Sequence, residues 1–258
     1  MKLFYGAPRR FVRPALGLAA LATVLVTSGC AAWRIGQSVE MARQSQPLQR
    51  TPEAAALRLL IVGDSTGVGT GASSPETSVA GLLARAYPKL AIENRSRDGA
   101  KFAGLVEQLD AGPADARYDM ILVQAGGNDV IRLRDLEAMR ADIDRVVKRA
   151  RELSPLVVLQ PAGNVGNAPF FFAPISWWMG ARSRDMHRLV RAAAASHGAI
   201  YVSLFQEREN DPFVRQPGLN ARDGLHPSDA GYELWFRELQ TQAGLAERLA
   251  SARASATP

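Results

Sequence analysis

From Leu57 onward the chain alternates between two patterns of apolar and polar positions. Short apolar runs, "LRLLIVG" (57–63), "LAIEN" (90–94), "YDMILVQ" (118–124), "LVVLQ" (156–160) and "AIYVSL" (199–204), have the length and composition of strands. Between them lie segments of helical period. The clearest places Leu133, Leu136, Met139, Ile143, Val146, Val147 and Ala150 on one face, with Arg134, Glu137, Arg140 and Asp144 elsewhere. "SVAGLLARAY" (78–87), a short stretch near 102–109, a helix marked by Met186, Leu189, Val190, Ala193 and Ala194, and a last one from about 229 to 249 fill the other intervals. No internal repeat is visible. Strands alternating with helices predict an α/β fold of three layers, doubly wound around a mainly parallel five-stranded sheet. Ligand sites in such sheets lie outside the carboxyl ends of the strands.

Ahead of Leu57 the pattern differs. Lys2, Arg9, Arg10 and Arg13 precede the apolar stretch "PALGLAALATVLVTSG", so residues 1–29 read as a signal peptide. The run is shorter than the ~20 residues of a spanning helix. Cys30, the only cysteine, follows at once and excludes an internal disulfide. "LVTSGC" resembles the lipobox of bacterial lipoproteins, with Thr27 where leucine is usual. The resemblance implies a lipidated Cys30 as mature N-terminus, a membrane partner through that lipid, and residence in the cell envelope on the periplasmic face of the outer membrane. Residues 30–55 are mostly polar and read as a tether, 56–250 as the folded domain, and 251–258 as a disordered tail.

Composition adds two limits. A 258-residue chain that is 47% hydrophobic can bury one full core. Its net charge of +6 comes largely from the leader: residues 1–29 hold four basic and no acidic side chains, leaving 27 basic against 25 acidic, or +2. The remaining arginines are interleaved with Asp and Glu, so no nucleic-acid partner is expected.

The candidate chemistry begins where the first strand ends, in "GDSTGVGTG" (63–71). A phosphate-binding loop would need a lysine after its last glycine, and none comes before Lys89. The dinucleotide fingerprint fails on spacing, because Gly67, Gly69 and Gly71 follow G-x-G-x-G. "GDSTG" spells a nucleophile elbow, yet an elbow of that kind normally follows several strands and only one precedes Ser65. The three glycines read as scaffolding that leaves the space over Ser65 open. A serine nucleophile needs a base and oxyanion donors. His226, three residues after Asp223 in "DGLHPSDAGY", can supply the base and its orienting carboxylate, or the segment can be a simple helix-entry turn. His187 and His197 read as solvated or core-edge residues. Gly99 ends "NRSRDG" after the second strand, and Asn128 lies in "QAGGND" after the third. In the flavodoxin-like strand order 2-1-3-4-5, these two would flank Ser65.

"GDST", "NRSRDG", "GGND" and "DGLHP" resemble, in order across about 165 residues, the four blocks of the SGNH/GDSL hydrolase family. The resemblance implies Ser65 as nucleophile, His226 as base and Asp223 as its orienter. It implies the Ser65 N–H, the Gly99 N–H and the Asn128 amide as oxyanion donors. Thr66 stands where the family name has leucine. Asp64 and Asp129 read as structural hydrogen-bonding groups. No cofactor and no metal are expected, since no acidic or Cys/His cluster has ligand spacing. The implied activity is hydrolysis of carboxylic esters, possible thioesters included, through an acyl-enzyme. The alternatives are an O-acetylesterase of a glycan or peptidoglycan, an acyltransferase, and a non-catalytic lipid- or glycan-binding protein. "PFFFAPISWWMG" (169–180) reads as a connection whose aromatics either pack against the sheet or do something at the surface. Phe170, Phe171, Phe172, Trp177 and Trp178 are thus candidates to line an acyl site, stack on a sugar or dip into a bilayer.

Overall fold

A computed structural model describes Gly29 and residues 32–255. Cys30, the leader up to residue 28 and the last three residues of the expected tail lie outside this range. Five parallel strands, β1 (Leu57–Gly63), β2 (Leu90–Asn94), β3 (Met120–Gln124), β4 (Val157–Leu159) and β5 (Ile200–Tyr201), form one sheet in the order β2-β1-β3-β4-β5. This is the expected three-layer, doubly wound α/β architecture.

The strands are apolar on both faces because both are covered. Leu60, Val62, Ile121, Val123, Val157 and Leu159 point to one core. That core is closed by α4 (Leu105–Asp110), α6 (Leu136–Leu153) and α7 (Ile175–His197). The alternate residues, among them Leu59, Ile61, Met120, Leu122 and Val158, point to the other. There the cover is α3 (Val79–Ala86), α9 (Asp229–Ala243) and α10 (Leu245–Ser255).

Four boundaries depart from the sequence expectation. Leu133 is not on α6: it has φ 54°, and the helix starts after Asp135, whose carboxylate accepts from the Ala138 N–H at 2.9 Å. The single last helix is two, broken at Gly244 in left-handed conformation, and the second runs on to Ser255. The aromatic stretch is not all connection, since Trp177 and Trp178 lie in the first turn of α7. The tether is folded: residues 32–44 form a helix, α1, with Met41 buried, and Arg50 bridges to Ile92 beside β2. Ile35, Val39 and Ala42 repeat at i, i+4, i+7 and form the apolar stripe that explains the helix.

Candidate active site

β1 ends at Gly63 and turns directly into the one-turn helix α2 (Ser65–Val68). Asp64 caps it, accepting from the Thr66 N–H at 2.9 Å and the Thr66 hydroxyl at 2.7 Å. Burial raises the pKa of this enclosed carboxyl. The turn is fastened on three sides. The Gln108 amide bonds both the N–H (2.8 Å) and the carbonyl (3.0 Å) of Gly63. Asn94 donates to the Gly67 carbonyl, and the Tyr232 hydroxyl to the Thr70 carbonyl, at 2.8 and 2.7 Å. Ser65 is thereby held half-buried at the first helical position, on the wall of a cavity of about 270 Å³.

His226 reaches that cavity from the turn before α9. Asp223 Oδ1 accepts from the N–H groups of Leu225 (3.0 Å) and His226 (3.1 Å), which fixes its carboxylate. Its Oδ2 lies 2.6 Å from His226 Nδ1, and His226 Nε2 lies 3.0 Å from Ser65 Oγ. Burial works against the charge on Asp223, but the His226 ring and the two N–H groups hold its carboxyl below the ordinary range. His226, a residue with 7% of its surface exposed, has a hydroxyl on one side of its ring and a carboxylate on the other. "DGLHP" is therefore more than a helix-entry turn.

Gly71 has φ 100°, and a side chain there would meet the Pro227 carbonyl at 2.4 Å and the His226 Cβ at 2.8 Å. Gly67 and Gly69 likewise lie against Ser96 and Ser78. These glycines let the serine loop close against its neighbours, so they do not hold space open over Ser65.

Because β1 lies between β2 and β3, the loops after those strands flank Ser65. Gly99 and Asn128 line the same cavity, Asn128 from the short helix α5 (Gly127–Ile131). Gly126 introduces α5 at φ 114°, where a side chain would meet the Met186 sulfur at 2.9 Å. The Asn128 amide and the N–H groups of Ser65 and Gly99 have no hydrogen-bond partner among the described residues. Three residues with unengaged donor groups thus line the cavity that holds the serine hydroxyl, and such donor types are the ones an oxyanion requires.

Walls that were not expected from sequence come from α1 (Val39, Ala42), from Ile131 and Leu204, and from Phe213 and Trp235. Only the α1 contribution had a readable signal, the Ile35–Val39–Ala42 stripe. Phe170, Phe171, Phe172, Trp177 and Trp178 are not among the residues that line the cavity. Phe171 packs on the sheet core and meets Phe170 edge-on at 4.9 Å, whereas Phe172, Trp177 and Trp178 are exposed. His187 is buried: the Ala162 carbonyl takes its Nε2–H at 2.8 Å, Nδ1 faces the Tyr201 hydroxyl at 2.6 Å, and burial lowers its pKa to about 4. His197 pairs with Asp144 at 2.7 Å, away from the site.

Asp129, next to Asn128, accepts from the Phe102 N–H at 3.1 Å through Oδ2, while its buried Oδ1 has no partner. Burial, reinforced by the nearby Asp64 and Asp142, pushes its pKa from 3.8 up to about 7. The folded chain therefore holds a proton that the unfolded chain releases, and stability falls as pH rises from about 4 to about 7. Asp129→Asn removes that titration. The melting temperature of the variant relative to the parent is expected to climb across this window and level off above it. Each kcal/mol corresponds to about 2–4 °C in a chain of this size. A difference that does not change with pH would refute the buried proton.

Known proteins resemble this chain in sequence and in fold. The family model described as GDSL-like Lipase/Acylhydrolase matches residues 61–234. A GDSL-like esterase of Mycobacterium tuberculosis is 26% identical over 188 residues, covering 69% of this chain and 59% of that protein. Esterase TesA of Pseudomonas aeruginosa is 27% identical over 184 residues, covering 69% of this chain and 83% of that one. Among solved structures, the acetylxylan esterase Axe2 of Geobacillus stearothermophilus superposes with a TM-score of 0.56 at 21% identity, over 75% of this chain and 97% of that one.

Proposed function

Since the chain belongs to the GDSL-like lipase/acylhydrolase family, we propose that it hydrolyses carboxylic esters through an acyl-enzyme on Ser65. The observation that carries this reading is the Asp223–His226–Ser65 relay, at 2.6 and 3.0 Å, in a cavity shared with Gly99 and Asn128. His226 Nε2 takes the Ser65 proton as Oγ attacks the ester carbonyl. Asp223 keeps the ring in the tautomer whose Nε2 is free and stabilises the imidazolium that forms. The negative charge that develops on the carbonyl oxygen is met by the Ser65 and Gly99 N–H groups and the Asn128 amide. His226 then returns its proton to the departing alkoxide. Water attacks the acyl-enzyme by the same steps in reverse, which frees the acid and Ser65.

The substrate is an acyl ester whose chain lies against the apolar walls supplied by Val39, Ala42, Ile131, Leu204 and Trp235. The enzyme works in the bacterial envelope, held by a lipidated Cys30; the lipobox-like "LVTSGC" supports this part. The deciding experiment profiles the purified protein against p-nitrophenyl esters of increasing length, with an acetylated glycan alongside. A buried methylene is worth about 0.8 kcal/mol, so kcat/KM is expected to rise roughly fourfold per methylene until the cavity is full. A flat profile with preference for the glycan would move the assignment to glycan deacetylation. Binding of these ligands without turnover would refute hydrolysis.

A further inference from the structure

Apart from Leu133, the large exposed apolar residues among the described residues fall in two segments. Trp33, Ile35 and Val39 lie on α1, and Phe172, Ile175, Trp177 and Trp178 lie where the 169–174 loop enters α7. Their exposure is high: 62% for Trp33, 58% for Phe172 and 72% for Trp177. Arg34 pins the two segments together, since its guanidinium stacks on the Phe172 ring at 4.7 Å and donates to the Pro169 carbonyl. Both segments also wall the catalytic cavity, α1 through Ser38, Val39 and Ala42, and the approach to the 169–174 loop through Asn167 and Ala168. An apolar surface therefore borders the mouth of the cavity, and the α1 stripe runs from one into the other.

We propose that this face docks on a lipid bilayer, so that an ester enters the Ser65 cavity from the membrane surface. The occupant follows from where the chain goes. The apolar run of the leader ends at Gly29, and Trp33 comes four residues later. An extended chain covers at most about 3.6 Å per residue, so Trp33 stays within roughly 15 Å of the end of that run. α1 is consequently held at the bilayer whether the run itself or a lipid on Cys30 is the attachment. Tryptophan, with an apolar body and one N–H, is the side chain suited to the headgroup boundary. Three of the four tryptophans lie on this face, and the fourth, Trp235, is buried. The exposed apolar residues lie in stretches without acidic residues, 30–39 and 161–184, with Glu40 and Asp185 following on α1 and α7, and Arg34 attracts anionic headgroups. No described helix is long and apolar enough to cross a membrane, and the face docks without spanning.

The docking rests on the leader as a membrane attachment and is independent of the esterase chemistry, and the test separates the two. The full chain carrying Trp33→Phe is placed in phosphatidylcholine/phosphatidylglycerol vesicles with brominated acyl chains. Trp177 and Trp178 are then two of the three remaining fluorophores, and roughly two thirds of the emission is expected to be quenched. In parallel, Trp177→Ser/Trp178→Ser is expected to keep its turnover of a water-soluble p-nitrophenyl ester. Its kcat/KM for a long-chain ester embedded in the vesicles should fall about tenfold or more, as buried apolar area sets interfacial binding. Unquenched tryptophans alongside normal turnover of the soluble ester would overturn the docking and leave the esterase reading intact. Quenching without turnover of either ester would do the reverse. Unquenched tryptophans in a protein whose mass halves in the double variant would assign the face to a second copy, which also overturns the proposal.

Discussion

Ser65→Ala is expected to abolish ester hydrolysis in a protein that still folds. The Ser65 hydroxyl makes one hydrogen bond, to His226 Nε2, and the helix it opens is capped by Asp64, not by itself. Alanine is the best helix former, so α2 loses nothing at this position. What disappears is the atom that, on the proposed mechanism, bonds to the acyl carbon. In serine hydrolases built on the same relay, loss of the nucleophile costs on the order of 10⁶ in kcat, and a residual 10³–10⁴ over water persists through the oxyanion donors and binding. The measurement is p-nitrophenyl acetate turnover beside a thermal unfolding curve. Activity within tenfold of the parent at an unchanged melting temperature would remove Ser65 from the chemistry.

The Asn128→Ala variant is expected to lose about 10²–10³ in kcat, the usual effect of removing one oxyanion donor. Asn128 lines the cavity and its amide has no hydrogen-bond partner among the described residues, so no hydrogen bond of the resting protein is lost with it. The backbone of α5 is set by Gly126 and by the Asp129 contact to the Phe102 N–H, both outside the altered side chain. On the proposed mechanism the interaction forms only as charge builds on the carbonyl oxygen. The loss should therefore fall on kcat, with KM nearly unchanged. A decrease of only a few-fold would show that the amide does not meet the oxyanion, and a rise in KM alone would make Asn128 a ground-state binding group.

The central strands were legible because β1, β3 and β4 bury nearly every residue on both faces and so appear as apolar runs; the edge strands β2 and β5 are only partly buried. The placement of Gly99 and Asn128 was legible for a related reason: both follow strands that neighbour β1, so strand order brings them to the cavity that Ser65 lines, whereas Asp223 and His226 come from the turn before α9. Some boundaries were not legible. Leu133 continues the apolar period of α6, yet Asp135 caps the helix after it, and a cap overrides a period that merely extends past it. Trp177 and Trp178 were placed in a connection because aromatic clusters carry no helical period. In the structure they open α7, with their rings turned outward.

What the sequence by itself determined is local and ordinal: which segments are strands or helices, which residue types can transfer a proton or hold an oxyanion, and the order in which they meet the sheet. These properties depend on neighbours along the chain and on the few ways a parallel sheet can be wound. The tertiary structure decided what depends on packing between distant segments. It decided that residues 32–44 are a wall of the cavity, because Val39 and Ala42 come to line one space with Ser65, Asn128 and Asn167 only once distant segments are assembled, while Ile35 stays exposed. It decided that Asp129 retains a proton to about pH 7, because burial by other elements, not its own sequence context, removes the water that would stabilise its charge. It also turned the aromatics away from the serine, because Phe171 fills the core and Arg34 ties Phe172 to α1 at the surface.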